Sequence, residues 1–232
     1  MSKKILFLHG YAQSASIYSA KTGALRKTLQ KGGYETVYLQ GPYHIPSDDE
    51  IAGSGIDLYG WWPYNLTQFD ITAGLEEFKE KAKEHGDEVE GIIGFSQGAG
   101  LSGVIAAQYK EILPGLKWVI LFSGFKLNPK EYDVLYENEI QIPTLHVLGE
   151  LDTVVDEGRS MRLYNVCKED QRTLLKHQGG HFVPNSKDFV SKVINWIQTV
   201  KAQDDSSKEA KEETDINDDS DLLDAIDNIG KA

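Results

Sequence analysis

The run Gly91-Ile92-Ile93-Gly94-Phe95-Ser96-Gln97-Gly98-Ala99-Gly100-Leu101 holds the junction that decides the fold. Gly91 to Phe95 is short and continuously apolar, the pattern of a strand covered on both faces. From Gln97 to Tyr109 the residues are mostly small and apolar, as in a buried helix. Only Ser96 separates the two, so the strand must turn into the helix over a single residue. Glycines two places before and two places after that serine remove the side chains that would collide in so tight a turn.

The same alternation extends in both directions. Short apolar runs predict strands at Ile5–His9, Thr36–Leu39, Gly91–Phe95, Trp118–Phe122, Thr144–Leu148 and Arg172–Lys176. Helical patterns lie between and after them, at Ser16–Lys31, Ile71–His85, Gln97–Tyr109, Glu157–Cys167 and Ser186–Val200. In the last of these, Phe189, Val193, Trp196, Ile197 and Val200 share one face. Strand–helix alternation of this kind predicts an α/β fold: a mostly parallel, doubly wound sheet of about six strands flanked by helices, with right-handed crossovers. Gly41 to Asp70 breaks the rhythm with Pro42, Pro46, Gly53, Gly55, Gly60 and Pro63. An irregular stretch of that length inside a compact domain points to a functional loop.

The chain has 232 residues, 40% of them apolar and 26% charged, which suits one compact soluble domain. Its formal net charge of −12 is unevenly placed. From Lys201 onward 11 acids face four lysines, a net −7, which leaves −5 over residues 1–200. The acidic stretch has no aromatic residue and little apolar content before Leu222, so burial cannot offset the entropy of ordering it. The expected organisation is a domain over 1–200 followed by an acidic, largely disordered tail over 201–232. Leu222, Ile226 and Ile229 recur at helical spacing, marking a short helix near 220–229. It reads either as a docking element for a protein partner or as a frayed helix without function.

The acidic balance argues against a nucleic-acid surface. One cysteine, Cys167, excludes an internal disulfide and a cysteine-based zinc cluster. The longest apolar run near the start, Ile5 to Leu8, is too short for a signal core or a membrane span. The expectation is a cytoplasmic protein, with the nucleus as a second address, and no stable membrane insertion.

Gly94-Phe95-Ser96-Gln97-Gly98 fits the G-x-S-x-G pattern, in which a serine hydroxyl is held out on a strained turn. The helix that follows offers free N–H groups and the positive end of its dipole to a developing oxyanion. Such a serine needs a base, and the base needs an orienting acid; in this arrangement they follow in the order Ser, Asp or Glu, His, after later strands. Thr144–Leu148 runs into Gly149-Glu150-Leu151-Asp152, and Arg172–Lys176 runs into His177-Gln178-Gly179-Gly180-His181. Asp152 is preferred to Glu150 and Asp156 by its place in the turn, and His181 to His177 by the glycines around it. Ile5–Leu8 leads into His9-Gly10-Tyr11-Ala12-Gln13-Ser14, where the backbone N–H of Tyr11 is expected to join that of Gln97 in an oxyanion hole. Trp61, Trp62 and Tyr64, with Tyr59, are candidates to line an apolar acyl pocket; their alternative role is to cover the sheet edge.

Two other patterns are set aside. Gly98-Ala99-Gly100-Leu101-Ser102-Gly103 matches G-x-G-x-x-G but begins inside the helix and lacks the acid that ends a second strand, so no dinucleotide is expected. His177 and His181 are four apart, but Gly179 and Gly180 break any helix between them, so no metal is expected.

Together Leu8-His9-Gly10-Tyr11-Ala12-Gln13-Ser14, Gly94-Phe95-Ser96-Gln97-Gly98-Ala99, Gly149-Glu150-Leu151-Asp152 and Gly179-Gly180-His181-Phe182-Val183-Pro184 resemble a fungal family of serine hydrolases. That family is related to the human ovarian-tumour-associated esterase and to fungal polyketide-releasing thioesterases. The resemblance runs from about residue 3 to 200 and leaves the acidic tail outside. It implies an α/β-hydrolase with little or no lid domain, acting on carboxylic esters or thioesters through a Ser96, Asp152 and His181 triad, with no metal or organic cofactor. Acyl-protein thioesterases and lysophospholipases share the G-F-S-Q-G elbow and supply the rival activity; a non-catalytic scaffold that binds a partner is the rival from another class. Medium to long acyl chains are the expected substrates, because the candidate pocket is aromatic and shows no evident cation in the sequence.

Overall fold

A computed structural model describes residues 2–46, 57–64 and 69–207. Six parallel strands form the main sheet: β1 (Lys4–Leu8), β2 (Glu35–Leu39), β5 (Val89–Phe95), β6 (Trp118–Phe122), β7 (Thr144–Gly149) and β8 (Arg172–His177), in the order β2-β1-β5-β6-β7-β8. All six expected strands are present. The central β5 and β6 are buried along their whole length, as continuous apolar runs require, whereas the edge strands β2 and β8 are partly exposed. A second, antiparallel pair, β3 (Tyr43–Ile45) and β4 (Leu58–Gly60), arises in the stretch read as irregular. Strands of three residues are too short for any periodicity to show in sequence.

The stretch read as one helix over Ser16–Lys31 is two. Ser14 caps α1 (Ala15–Lys21) by accepting from the Ile17 N–H at 3.2 Å. Thr22 then leaves helical geometry at φ −100° and ψ 20°, and α2 (Gly23–Lys31) starts after it. The Thr22 hydroxyl donates to Tyr18 O and meets Tyr38 Oη, each at 2.7 Å, so a local hydroxyl competes with the backbone ladder at this break. Helices α3 (Thr72–Lys83) and α4 (Gln97–Ala107) follow, then a turn of helix α5 (Tyr109–Ile112). α4 is buried on every side from Gln97 to Ala106, which explains its run of small and apolar residues. α6 (Glu157–Tyr164) stops before Cys167 because Val166 and Lys168 turn aside to bond Ile140.

Contacts divide the chain into a unit ending at Ser191 and a second from Lys192. A last helix, α7, spans residues 187–207 and so continues past the expected start of the tail. Ala202 and Gln203 favour helix, and the Ser206 and Ser207 hydroxyls bond the carbonyls four residues back. The helix expected near 220–229 lies outside the described residues. No helix among the described residues is long and apolar enough to cross a membrane.

Two histidines are wholly inside. Burial pushes His9 down to about 4 against a weaker opposing hydrogen bond to Gly10 O, and pushes His146 down to about 3, with Arg172 adding to the effect. His146 is packed near Thr144 Oγ1 at 3.2 Å and Cys167 Sγ at 3.5 Å, and burial raises the Cys167 thiol to about 11. Both imidazoles are therefore neutral in the fold and take up protons on unfolding. Their stabilisation is complete above pH 6.5 and is lost as pH falls toward 4 and 3. Between pH 7 and pH 5 each should cost about 2 kcal/mol of stability, read as a fall in the urea midpoint. His146→Gln should shallow that dependence; an unaltered slope would show that His146 is not buried neutral.

β2 lies on one side of β1 and the run β5-β6-β7-β8 on the other, so strand order reverses between β1 and β5. That leaves a crevice at their carboxyl ends, where a site in an open α/β sheet is expected.

Candidate active site

The turn after β5 is as tight as its residues required. Ser96 sits at φ 52° and ψ −115°, a conformation a non-glycine residue rarely adopts. Its N–H is held by Phe122 O at 2.8 Å and its carbonyl by Gly100 N–H at 2.9 Å. The flanking glycines are needed for space. A Cβ at Gly94 would lie 2.6 Å from both Ala99 Cα and Ser102 Oγ, and one at Gly98 would run into the carbonyls of Leu8 and His9. So β1, β5 and α4 pack with their backbones in contact directly beneath the serine.

Two loops from distant parts of the chain converge on it. His181 Nε2 lies 2.9 Å from Ser96 Oγ, and His181 Nδ1 lies 2.8 Å from Asp152 Oδ2. An ionised carboxylate only accepts, so Nδ1 carries the proton and Nε2 is free to accept from the serine hydroxyl. Asp152 is itself anchored. Val154 N–H and Val155 N–H donate to Oδ1, each at 2.9 Å, and the Ser123 hydroxyl donates to Oδ2 at 2.8 Å. Burial pushes its carboxyl up, but the bonds from Val155, His181, Ser123 and Val154 outweigh this and hold it below the ordinary aspartate value.

The competing residues are engaged elsewhere. Asp156 caps α6 by accepting from Arg159 N–H at 3.0 Å, and Glu150 is exposed. His177 accepts from Gly179 N–H and packs near the Phe182 and Phe189 rings. Ser123 directly follows β6 and enters the site as a support of Asp152. Its φ of 47° is the one local sign of a special role, and no sequence pattern displays a backbone angle.

The β1 loop is shaped by His9. Gly41 N–H donates to His9 Nε2 at 3.0 Å, which leaves Nδ1 protonated and donating to Gly10 O at 2.7 Å. Ala12, at φ 52°, turns the chain back, and Gln13 pairs with Tyr59 of β4. Tyr11 and Gln97 both line the cleft beside Ser96. The N–H of Gln97 is in the first turn of α4, where no intrahelical acceptor exists.

The cleft measures about 600 Å³. Trp62, Phe69, Phe125, Val154 and Val155 form apolar wall, with Tyr11 and Tyr64 at 5.6 Å between ring centroids. Trp62 and Tyr64 line this cleft. Trp61 does not: it is fully buried beneath the loop, its indole N–H donating to His9 O at 2.9 Å. Both tryptophans sit in a bend after β4, and of the two only Trp62 reaches the cleft. Gln97 holds this segment, its Oε1 accepting from Trp61 N–H at 2.7 Å and its Nε2 donating to Trp62 O at 2.8 Å. The side chain of Gln97 is thus a positioning group that the sequence marked only by its backbone. Arg159 also lines the cleft, a cation the sequence did not reveal there.

A hydroxyl on a strained turn, an imidazole within hydrogen-bond reach of it and a carboxylate behind that imidazole are an arrangement able to supply a nucleophile for acyl or related transfer. With the sheet order and the elbow after β5, they define an α/β-hydrolase. The serine hydrolase (FSH1) family profile matches residues 1–193, and the chain belongs to that family of enzymes. It is similar to family of serine hydrolases 3 of Saccharomyces cerevisiae, 41% identical with 99% of this chain and 98% of the relative covered. Esterase OVCA2 of Danio rerio is 35% identical over 78% of this chain and 90% of its own. Among solved structures, Arabidopsis thaliana SOBER1 shares the fold at a TM-score of 0.60 and 19% identity, covering 85% of this chain and 98% of that one.

Proposed function

We propose that this protein hydrolyses carboxylic esters or thioesters of medium to long acyl chains through a covalent acyl-enzyme on Ser96. The observation that carries this reading is the unbroken hydrogen-bonded series Ser96–His181–Asp152, opening on an apolar cleft. The esterase name of the zebrafish relative agrees with it.

In the first half, Ser96 Oγ attacks the acyl carbonyl as His181 Nε2 takes its proton. The carbonyl oxygen becomes an oxyanion, which the N–H groups of Tyr11 and Gln97 stabilise. The tetrahedral species collapses when His181 gives its proton to the departing alcohol or thiol. In the second half, water enters, loses a proton to His181 and attacks the acyl carbon. Collapse returns the proton to Ser96 and releases the acid. Asp152 keeps the Nδ1–H tautomer and stabilises the transient imidazolium, and Ser123 fixes Asp152.

The test is labelling of the full chain with a fluorophosphonate, followed by a panel of p-nitrophenyl esters and acyl-CoA thioesters of graded length. Labelling that survives denaturation, together with turnover that rises with chain length, is the expected result. Turnover confined to acetyl esters would overturn the chain-length part of the reading. The acidic stretch takes no part in this chemistry: removing residues 208–232 should leave kcat/KM within about twofold, and a larger loss would make that stretch part of the enzyme.

A further inference from the structure

Arg159 stands in the wall of the cleft that also holds Ser96 and His181. Its guanidinium carbon lies 4.5 Å from the centre of the Phe125 ring, and Nη1 donates to Val154 O at 3.3 Å. Its Nε is buried with no acceptor. The acids that precede it on the chain are occupied: Asp156 Oδ1 caps the helix by accepting from the Arg159 backbone, and Glu157 pairs with Lys176 at 2.6 Å. Among the described residues, no carboxylate meets the Arg159 guanidinium.

A cation set against an aromatic wall has given up part of its hydration, and a buried N–H donor without an acceptor adds to that cost. The rest of the cleft is apolar or aromatic wall with a few hydroxyl and amide groups, so the wall itself supplies no compensating anion. A ligand carboxylate would supply one. The planar guanidinium fork suits a carboxylate in particular, and the Phe125 ring beneath it restricts its rotation.

We infer that the acyl chain this enzyme accepts ends in a carboxylate, which pairs with Arg159 while the ester carbonyl lies at Ser96 and the methylenes between them rest on Trp62, Phe69 and Phe125. The substrate class is then a half-ester or half-thioester of a medium-length dicarboxylic acid. The inference rests on the reading of Ser96 as the nucleophile and narrows the acyl chain assigned to the same cleft. Arg159 is a specificity residue that does no chemistry itself.

The test compares the p-nitrophenyl half-ester of suberic acid with p-nitrophenyl octanoate, which has the same number of carbons and no terminal charge. The wild type should favour the half-ester in kcat/KM. Arg159→Met should lower the ratio of half-ester to octanoate by about 10- to 100-fold, mainly through KM, and Arg159→Lys should retain part of the preference. A parallel fall for both esters, with the ratio unchanged, would show that Arg159 only braces the Val154 carbonyl, and the inference would be wrong. A wild type indifferent to the charge, or one that responds only to an anion on the alcohol side, would overturn it equally. Failure of the underlying reading looks different: neither ester is turned over and fluorophosphonate does not label the wild-type chain.

Discussion

Ser96→Ala should abolish fluorophosphonate labelling and lower ester hydrolysis by about 10⁴-fold or more. The change removes one oxygen, hydrogen-bonded to His181, so the loss falls on chemistry. The strained turn survives, because φ 52° is imposed by the backbone bonds to Phe122 O and Gly100 N–H and by the close packing around Gly94 and Gly98. The variant should therefore unfold at nearly the wild-type urea concentration. What activity remains would come from the N–H groups of the oxyanion hole and from binding in the cleft. Undiminished labelling of Ser96→Ala would remove this serine from the mechanism.

Asp152→Asn should cost about 10³- to 10⁴-fold in kcat with the fold retained. The reason is the number of donors aimed at this carboxylate. Two backbone N–H groups reach Oδ1, while the Ser123 hydroxyl and His181 Nδ1–H reach Oδ2. An amide has one oxygen and one NH₂, so either orientation sets a donor against donors. If the NH₂ faces His181, the imidazole moves its proton to Nε2 and can no longer accept from Ser96. If it faces the loop, the Val154 and Val155 N–H groups lose their acceptor and the turn that carries Asp152 loosens. Glu150→Gln is the control, since Glu150 is exposed two residues away. The opposite outcome, with Glu150→Gln inactive and Asp152→Asn active, would place the acid wrongly.

Much of this arrangement is legible in the sequence, and the reason is local. The elbow betrays itself because a one-residue turn between a buried strand and a buried helix demands glycine at Gly94 and Gly98. Asp152 and His181 are legible because the ends of parallel strands all open on one side of the sheet, so residues just after β7 and β8 must meet there. The six strands showed themselves because burial on both faces leaves continuous apolar runs. By contrast, the break at Thr22 depends on a hydroxyl meeting Tyr38 from β2, and the pairing of β3 with β4 joins three-residue strands that are well separated in the chain.

Three properties of the cleft were decided only by tertiary packing. Trp61 and Trp62 are the same residue type in adjacent positions, yet one is sealed under the loop by His9 and Gln97 while the other forms cleft wall. Ser123 reaches Asp152 only because β6 and β7 are neighbours in the sheet. Arg159, on α6 and 34 residues along the chain from Phe125, comes to that ring only through the packing of α6 beside the site. Sequence determined the sheet, the elbow and the placing of Ser96, Asp152 and His181 after their strands, because each is enforced by sterics or burial within a few residues. The shape and charge of the cleft needed the folded chain, because they depend on which side chains from remote segments come to share one volume.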